Sequence, residues 1–232
     1  MRPSKLFSLP ADLALFAGPN GSMSFQKAHI SIVRSIRQVS LLRDWQRTRG
    51  ERALPSISDF IPDERAGDAA DIVTTEIRVV DDQPTYLCRS AGERVEQLFD
   101  QKMRGRLLDE CLDRPMADAS RPIWGACVHH GLPIYCIVPF VDADNCPVTV
   151  EQIFLPYSGP QDFSPAFLLC AFHAWSTEGR FNAQGLLRNV TKVPLHWTVI
   201  IDPSLKQPIP PTEEADSDEI ELDDLSAPTP AR

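Results

Sequence analysis

The stretch from Tyr86 to Phe99 places the strongest constraint on the fold of this 232-residue chain. A half-buried strand pattern runs up to Gly92, residues 93–99 have a helical pattern, and Gly105 breaks the chain again soon afterwards. Glycine permits the tight backbone that a direct turn from strand to helix needs. The sequence therefore predicts a sheet whose second strand leads straight into short helices.

Other segments carry the period-two alternation that is typical of strands with one buried face. The predicted strands are residues 72–80, 85–90, 132–142 and 147–157, with 163–175 as a strand or a helix and 196–202 as a further strand-like segment. Short helices are predicted at residues 93–100, 106–113 and 119–130. The sequence does not decide whether residues 177–192 extend the sheet or wrap around the helices.

The segment from Lys27 to Arg49 contains no proline or glycine, and it predicts a leading helix that Gly50 ends. Its apolar residues are spaced by three positions rather than by about 3.6, so they drift around the helix. They are Ile30, Val33, Ile36, Val39, Leu42 and Trp45. Two interpretations stay open. The helix covers only its own core, or it also binds a protein partner or a second copy of the chain through Ile30, Val33, Ile36 and Leu42.

Charge is distributed unevenly along the chain. Residues 203–232 contain eight acidic and two basic residues, a net charge of −6, which leaves −3 of the total −9 for the rest. Nothing before the tail forms the basic stripe that nucleic-acid binding requires, so nucleic acid is not an expected partner. The prolines and acids of the tail predict disorder, either as a solubilising extension or as a segment that docks on a basic surface.

The domain organisation follows from these patterns. We expect a flexible segment at 1–26, the leading helix at 27–50, a folded domain at 51–175, a C-terminal extension of it at 176–202 and the acidic tail at 203–232. No run approaches the ~20 apolar residues of a membrane span, and no secretory signal is recognisable. The sequence therefore predicts a cytoplasmic protein.

The six cysteines lack the short spacing of a zinc site, and most have apolar neighbours, so they are interpreted as reduced core residues. Cys127 and His130 share one face of a predicted helix, but no motif for an oxyanion or an acid accompanies them. No catalytic residue, no metal site and no enzymatic activity is predicted.

Several short motifs occur in an order that suggests a known family. They are Trp45…Arg49-Gly50, Leu54-Pro55-Ser56…Ile61-Pro62, Tyr86…Arg89…Gly92, Leu98-Phe99, Gly105-Arg106 and the strand end Ile153-Phe154-Leu155-Pro156. Over residues 38–175 this series resembles PAS domains, and in particular a bacterial family of single-domain PAS-like proteins that are largely uncharacterised.

The resemblance implies an α+β fold: a PAS-like five-stranded antiparallel sheet with short helices on one face, preceded by a long N-terminal helix. It also implies a sensory or regulatory protein in signal transduction that binds a small molecule or a protein partner. The alternatives are an interaction module whose pocket is filled by side chains and, more remotely, a haem-binding sensor. No cofactor is required by the sequence.

The resemblance also points to candidate site residues between sheet and helices. The pocket candidates are Arg89, Trp124, Tyr135, Cys136 and Phe140, although the preferred interpretation is a structural role for Arg89 and a place in the core for the other four. In haem-binding PAS domains the axial histidine commonly lies on the helix before the third strand, where this chain has His129 and His130.

Overall fold

A computed structural model describes residues 25–61, 68–81, 83–160, 164–191, 193 and 197–206. Its strands are β1 (Gln26–Ala28), β2 (Ile72–Val80), β3 (Gln83–Ala91), β4 (Ile134–Val141), β5 (Pro147–Ser158), β6 (Pro165–Trp175) and β7 (Trp197–Ile201). Its helices are α1 (Ile36–Arg49), α2 (Glu93–Phe99), α3 (Leu108–Cys111) and α4 (Arg114–His130). The predicted flexible segment up to residue 24 and the tail from residue 207 lie outside the described residues.

The seven strands form one sheet in the order β1-β7-β4-β5-β6-β2-β3. Every neighbouring pair is antiparallel except β1 and β7, which are parallel. The predicted five-stranded antiparallel sheet is therefore wrong, because the sheet has seven strands and is mixed. Its two additional strands are short, and β1 pairs with a segment from the other end of the chain, as in Gln26 opposite Val199. Such a pairing leaves no local signal in the sequence.

The leading helix predicted from Lys27 is also wrong. The chain first forms β1 and then a single 3-10 turn at Ile30–Ile32, and α1 begins only after Ser35. The Ser35 hydroxyl accepts a hydrogen bond from the Gln38 backbone N–H at 3.5 Å, which satisfies one of the free donors at the helix start. The three-residue spacing of the apolar side chains thus extends over a strand, a turn and a helix, and no single helical stripe contains them.

Other local predictions are confirmed. The alternation over residues 72–80 forms β2, and the open choice for residues 163–175 is resolved as the strand β6, which lies between β5 and β2. The segment between β6 and β7 wraps around the helices: the backbone N–H groups of Gly185 and Leu187 donate to the carbonyls of Gln97 and Leu98 in α2, each at 2.9 Å. We call residues 176–191 the wrap segment.

Both faces of the sheet are covered. On the first face, α2, α3, α4 and the wrap segment enclose one hydrophobic core, which includes Trp124 and Phe154. On the second face, α1 and the proline-containing residues 54–61 enclose another, which includes Leu42 and Trp45. The indole N–H of Trp45 donates to the carbonyl of Pro156 at 2.7 Å, so α1 is fixed to the end of β5. Among the described helices, none has the length and apolar character needed to cross a membrane.

Candidate functional site

The first face of the sheet encloses an apolar cavity beneath the helices. Its volume is about 40 Å³. This is the space that the centre of a water molecule can occupy. By this measure one water needs roughly 10–15 Å³, so the cavity holds about three or four non-hydrogen atoms before its walls move. Two methionines in the wall, Met103 and Met116, are unbranched and adaptable, and a somewhat larger ligand can be accommodated by their movement.

The cavity walls come from segments that are far apart in the sequence. Strands β2, β5 and β6 form the floor, and α2, α3, α4 and the wrap segment form the roof. The apolar lining residues are Val73, Phe99, Met103, Leu108, Leu112, Met116, Trp124, Phe154, Leu168, Cys170, Phe172 and Leu187. On α4 the lining residues Met116, Ser120 and Trp124 are four positions apart, and residues at this spacing share one face of a helix.

Three polar side chains complete the lining: Thr75, Ser120 and Gln152. The Thr75 hydroxyl already donates to the Leu168 carbonyl at 3.1 Å. The Gln152 amide, by contrast, has no hydrogen-bond partner anywhere in the described part of the chain. An amide offers two donors and an acceptor, and in the half-buried Gln152 side chain these groups can pair with a ligand. The Ser120 hydroxyl also has no hydrogen-bond partner among the described residues, so Gln152 and Ser120 are the groups in this cavity that a ligand can satisfy.

The electrostatic character of the cavity is neutral. No residue of the described lining carries a charge, and the one ionisable thiol in the wall, that of Cys170, has its pKa raised well above the ordinary value by burial. The phenol of Tyr86, whose ring lies 4.9 Å from that of Trp124, has its pKa raised to about 12, chiefly by burial. At neutral pH these groups are uncharged, so the cavity favours a neutral molecule.

The structure distributes the five predicted pocket residues over several environments. Trp124 lines the cavity. Cys136 and Phe140 lie on the same face of the sheet but within its packed core, and the Cys136 sulfur accepts a hydrogen bond from the Thr198 hydroxyl at 3.3 Å. Tyr135 lies on the second face, where its hydroxyl donates to the Glu151 carboxylate at 2.6 Å.

Arg89 lies near the edge of the sheet, away from the cavity. Its guanidinium is about half exposed and forms an ion pair with Glu76 on the neighbouring strand β2. Arg78 also pairs with this carboxylate, at 3.2 Å, and the two arginines lower its pKa, with the hydrogen bond from Arg78 as the largest cause. In this position Arg89 joins β3 to β2.

The two histidines considered as haem ligands are exposed in the last turn of α4. Their rings lie 5.0 Å apart, and Gly131 ends the helix directly after them in the left-handed conformation. Neither side chain belongs to the cavity lining, so the structure does not bring His129 or His130 together with this candidate site. Within the described residues, no group of three or more His, Cys, Asp or Glu side chains is arranged to hold a metal ion.

Cys127, the thiol considered together with His130, is completely buried. Its sulfur donates to the carbonyls of Leu132 and Phe154, at 3.3 and 3.6 Å. Burial raises the pKa of this thiol far above its ordinary value. A nucleophilic thiolate is therefore not favoured at this position.

The second face contains a buried polar cluster beneath α1. The Glu151 carboxylate, in a residue only 1% exposed, accepts hydrogen bonds from the Tyr135 hydroxyl and from the Trp175 indole N–H, at 2.6 and 2.8 Å. The Gln38 amide donates to the carbonyls of Glu151 and Ala171, at 3.1 and 3.0 Å. This cluster ties α1 to β5 and β6.

Sequence reasoning missed Gln152 and Ser120. A signal for Gln152 does exist: on β5 the residues Val148, Val150 and Phe154 alternate in an apolar series, and Gln152 is the polar residue that interrupts it. Ser120 has a weaker signal, because its partners in the cavity come from three strands and several helices. No protein-family model matches this chain, and none of the curated proteins is significantly similar to it.

Proposed function

We propose that this chain is a PAS-like regulatory protein of the cytoplasm that binds a small, neutral, mainly apolar molecule in the cavity beneath α4. The observation that carries the proposal is an uncharged and mainly apolar wall in which the Gln152 amide has no hydrogen-bond partner among the described residues. A ligand with one hydrogen-bonding group and an apolar body satisfies both parts of this wall.

The relationship to PAS domains is part of the proposal, and two features support it. In chain order, β2 and β3 are followed by α2, α3 and α4 on one face and then by β4, β5 and β6. The motif residues also contact one another: the Cys88 N–H donates to the Arg106 carbonyl at 2.9 Å, and the Gly105 N–H donates to the Cys88 carbonyl at 2.8 Å. These bonds connect two of the motifs on which the resemblance rests.

Isobutyramide and isobutyrate make a matched pair of probes, because they have nearly the same shape and differ in charge. We expect saturation-transfer NMR to detect isobutyramide on the protein and to detect isobutyrate much more weakly, since the wall has no cation to receive a carboxylate. Equal signals from both probes would contradict the proposed neutral site.

A variant pair locates the site. Ser120→Leu places an apolar side chain in the cavity, and we expect it to abolish the isobutyramide signal. Ser40→Leu makes the same change on the exposed side of α1 and should retain the signal. Retention in Ser120→Leu, with unchanged folding, would exclude the cavity as the binding site.

Native mass spectrometry of the gently purified protein tests the alternative function, an interaction module with a filled pocket. We expect an additional small mass on the polypeptide if the natural ligand is retained. A bare polypeptide that also fails to bind isobutyramide, together with a dimer that dissociates on dilution, would favour the interaction module.

A further inference from the structure

The exposed side of α1 carries a basic surface. Ile36, Ser40, Arg43 and Arg47 follow one another at steps of four, three and four residues, which places them on one side of the helix. All four are exposed, and Ile36 is 86% exposed, which is unusual for an isoleucine. We call these four residues the outer stripe.

Part of the positive charge around the outer stripe is neutralised by described residues, because Arg37 pairs with Asp71 and Arg52 pairs with Asp59. Residues 34–52 contain six arginines and two acidic residues, a net charge of +4 in a chain whose total is −9. Arg43 forms no ion pair with any described residue. Arg47, whose side chain is 79% exposed, pairs with Asp44 of the same helix at 2.8 Å.

The chain itself contains a segment of complementary character. Residues 207–232 have eight acidic residues and one arginine, a net charge of −7. Three apolar residues, Ile220, Leu222 and Leu225, alternate with these acids. Such a segment offers carboxylates to Arg43 and Arg47 and an apolar side chain to Ile36.

The described chain ends on the side of the sheet from which the chain also leads into α1. Because β1 and β7 are parallel, with Ala28 opposite Ile201, the chain leaves both strands at the same end of the sheet. The Asp202 N–H donates to the Ala28 carbonyl at 3.0 Å. Lys206, four residues further on, is the last residue that the structure describes. From Ala28 the chain continues through the single 3-10 turn into α1.

The distances are compatible with contact. The first acid, Glu213, follows Lys206 by seven residues, which extend to at most about 25 Å. The 14 residues of α1 span about 21 Å. The reach of the linker is therefore comparable with the whole length of α1.

We propose that residues 213–225 dock on the outer stripe of α1 in the same molecule. Attachment through a short linker gives the segment a high effective concentration, so weak and salt-sensitive contacts are sufficient. The docked segment covers the side of α1 that would otherwise bind a partner or a second copy of the chain. It thereby competes with such a partner. The proposal is independent of the cavity and of its ligand.

The test compares amide NMR spectra of two full-length proteins, the natural chain and a variant in which six of the eight acids of the tail are neutralised. The variant carries the substitutions Asp216→Asn, Asp218→Asn, Glu219→Gln, Glu221→Gln, Asp223→Asn and Asp224→Asn. At about 0.05 M NaCl we expect the two spectra to differ at Ile36, Ser40, Arg43 and Arg47, and we expect the differences to vanish at about 0.5 M NaCl. They should not depend on protein concentration, because the contact is within one chain.

Charge reversal on α1 supplies the control. The double variant R43E/R47E should abolish the difference between the natural and the neutralised tail, and R43Q/R47Q should reduce it. The matched variant R104E/R180E reverses two exposed arginines outside α1 and should leave the difference intact. Unchanged β5 amide shifts show that each variant is folded.

Three results would each overturn the proposal. The first is an absence of differences in α1, or differences confined to another surface. The second is persistence of the differences in R43E/R47E. The third is a dependence on protein concentration, which would show that the tail binds a second molecule.

Discussion

At the scale of single residues, Gly92 is required by lack of space. Its φ of −73° and ψ of 156° are accessible to any residue. A Cβ at this position, however, would lie 2.2 Å from the Ala69 carbonyl oxygen and 2.3 Å from the Ala70 carbonyl carbon. The close approach arises because the Gly92 N–H donates to the Ile72 carbonyl at 2.9 Å, directly beside the start of β2. The sequence pattern indicated a glycine turn, but only the structure identifies the atoms that exclude a side chain.

We predict that Gly92→Ala lowers the free energy of unfolding by about 3 kcal/mol, because backbone atoms must move to admit the methyl group. The matched control is Gly125→Ala in α4, where a Cβ meets nothing within 4 Å. That change should be neutral or should stabilise the protein by up to about 1 kcal/mol, since alanine is the better helix former. Urea denaturation measures both. Similar effects of the two substitutions would show that the contacts around Gly92 are not tight.

At the scale of elements, the weakest attachment in the sheet is that of β1, which has three residues and one neighbouring strand. Lys27 in β1 forms an ion pair with Asp202 at 2.8 Å, and the Asp202 side chain is only 12% exposed. The hydrogen bond from Lys27, together with those from Ser204, lowers the pKa of Asp202 from 3.8 to about 2. The charged carboxylate therefore stabilises the junction of β1 and β7.

We predict that Asp202→Asn lowers the free energy of unfolding at pH 7 by up to about 2 kcal/mol. Because the folded-state pKa lies below the ordinary value, this stabilisation is fully present above about pH 4 and is lost as the pH falls towards 2. The difference between the natural protein and the variant should shrink over that range. Urea denaturation at pH 7 and pH 3 measures this difference.

The control is Asp44→Asn, which removes a more exposed ion pair and should have a much smaller effect on the free energy of unfolding. A pH-independent difference would contradict the assigned cause.

An element of the fold could be predicted where its own residues form a hydrophobic pattern, and not where it depends on pairing with a distant segment. The strand β2 has such a pattern, because Val73, Thr75 and Ile77 alternate with the polar residues Thr74, Glu76 and Arg78. The strand β1 does not, since three residues that pair with β7 have no period of their own. Of the pocket candidates named from the sequence, Trp124 lines the cavity, whereas the others lie elsewhere. Gln152 gained its significance only when β5 was placed beneath α4.

At the scale of the whole molecule, one strand connects the two faces. On β5, Gln152 lines the cavity, while the adjacent Glu151 points to the second face and accepts hydrogen bonds from Tyr135 and Trp175. The Glu151 carbonyl also accepts a hydrogen bond from Gln38 of α1. A ligand that bonds to Gln152 is therefore one peptide unit away from a contact of α1. This arrangement joins the proposed ligand site to the helix that carries the outer stripe.

The last prediction concerns the stability of the whole chain without its acidic tail. Removal of residues 207–232 changes the net charge from −9 to −2, because the deleted segment carries −7. We predict that the thermal midpoint changes by no more than about 2–4 °C, since exposed ion pairs contribute at most about 1 kcal/mol. Circular dichroism melts at low and high salt measure the change, which should disappear at high salt as the contacts are screened. A fall of many degrees at both salt concentrations would mean that the tail is part of the hydrophobic core and not a docked, charged segment.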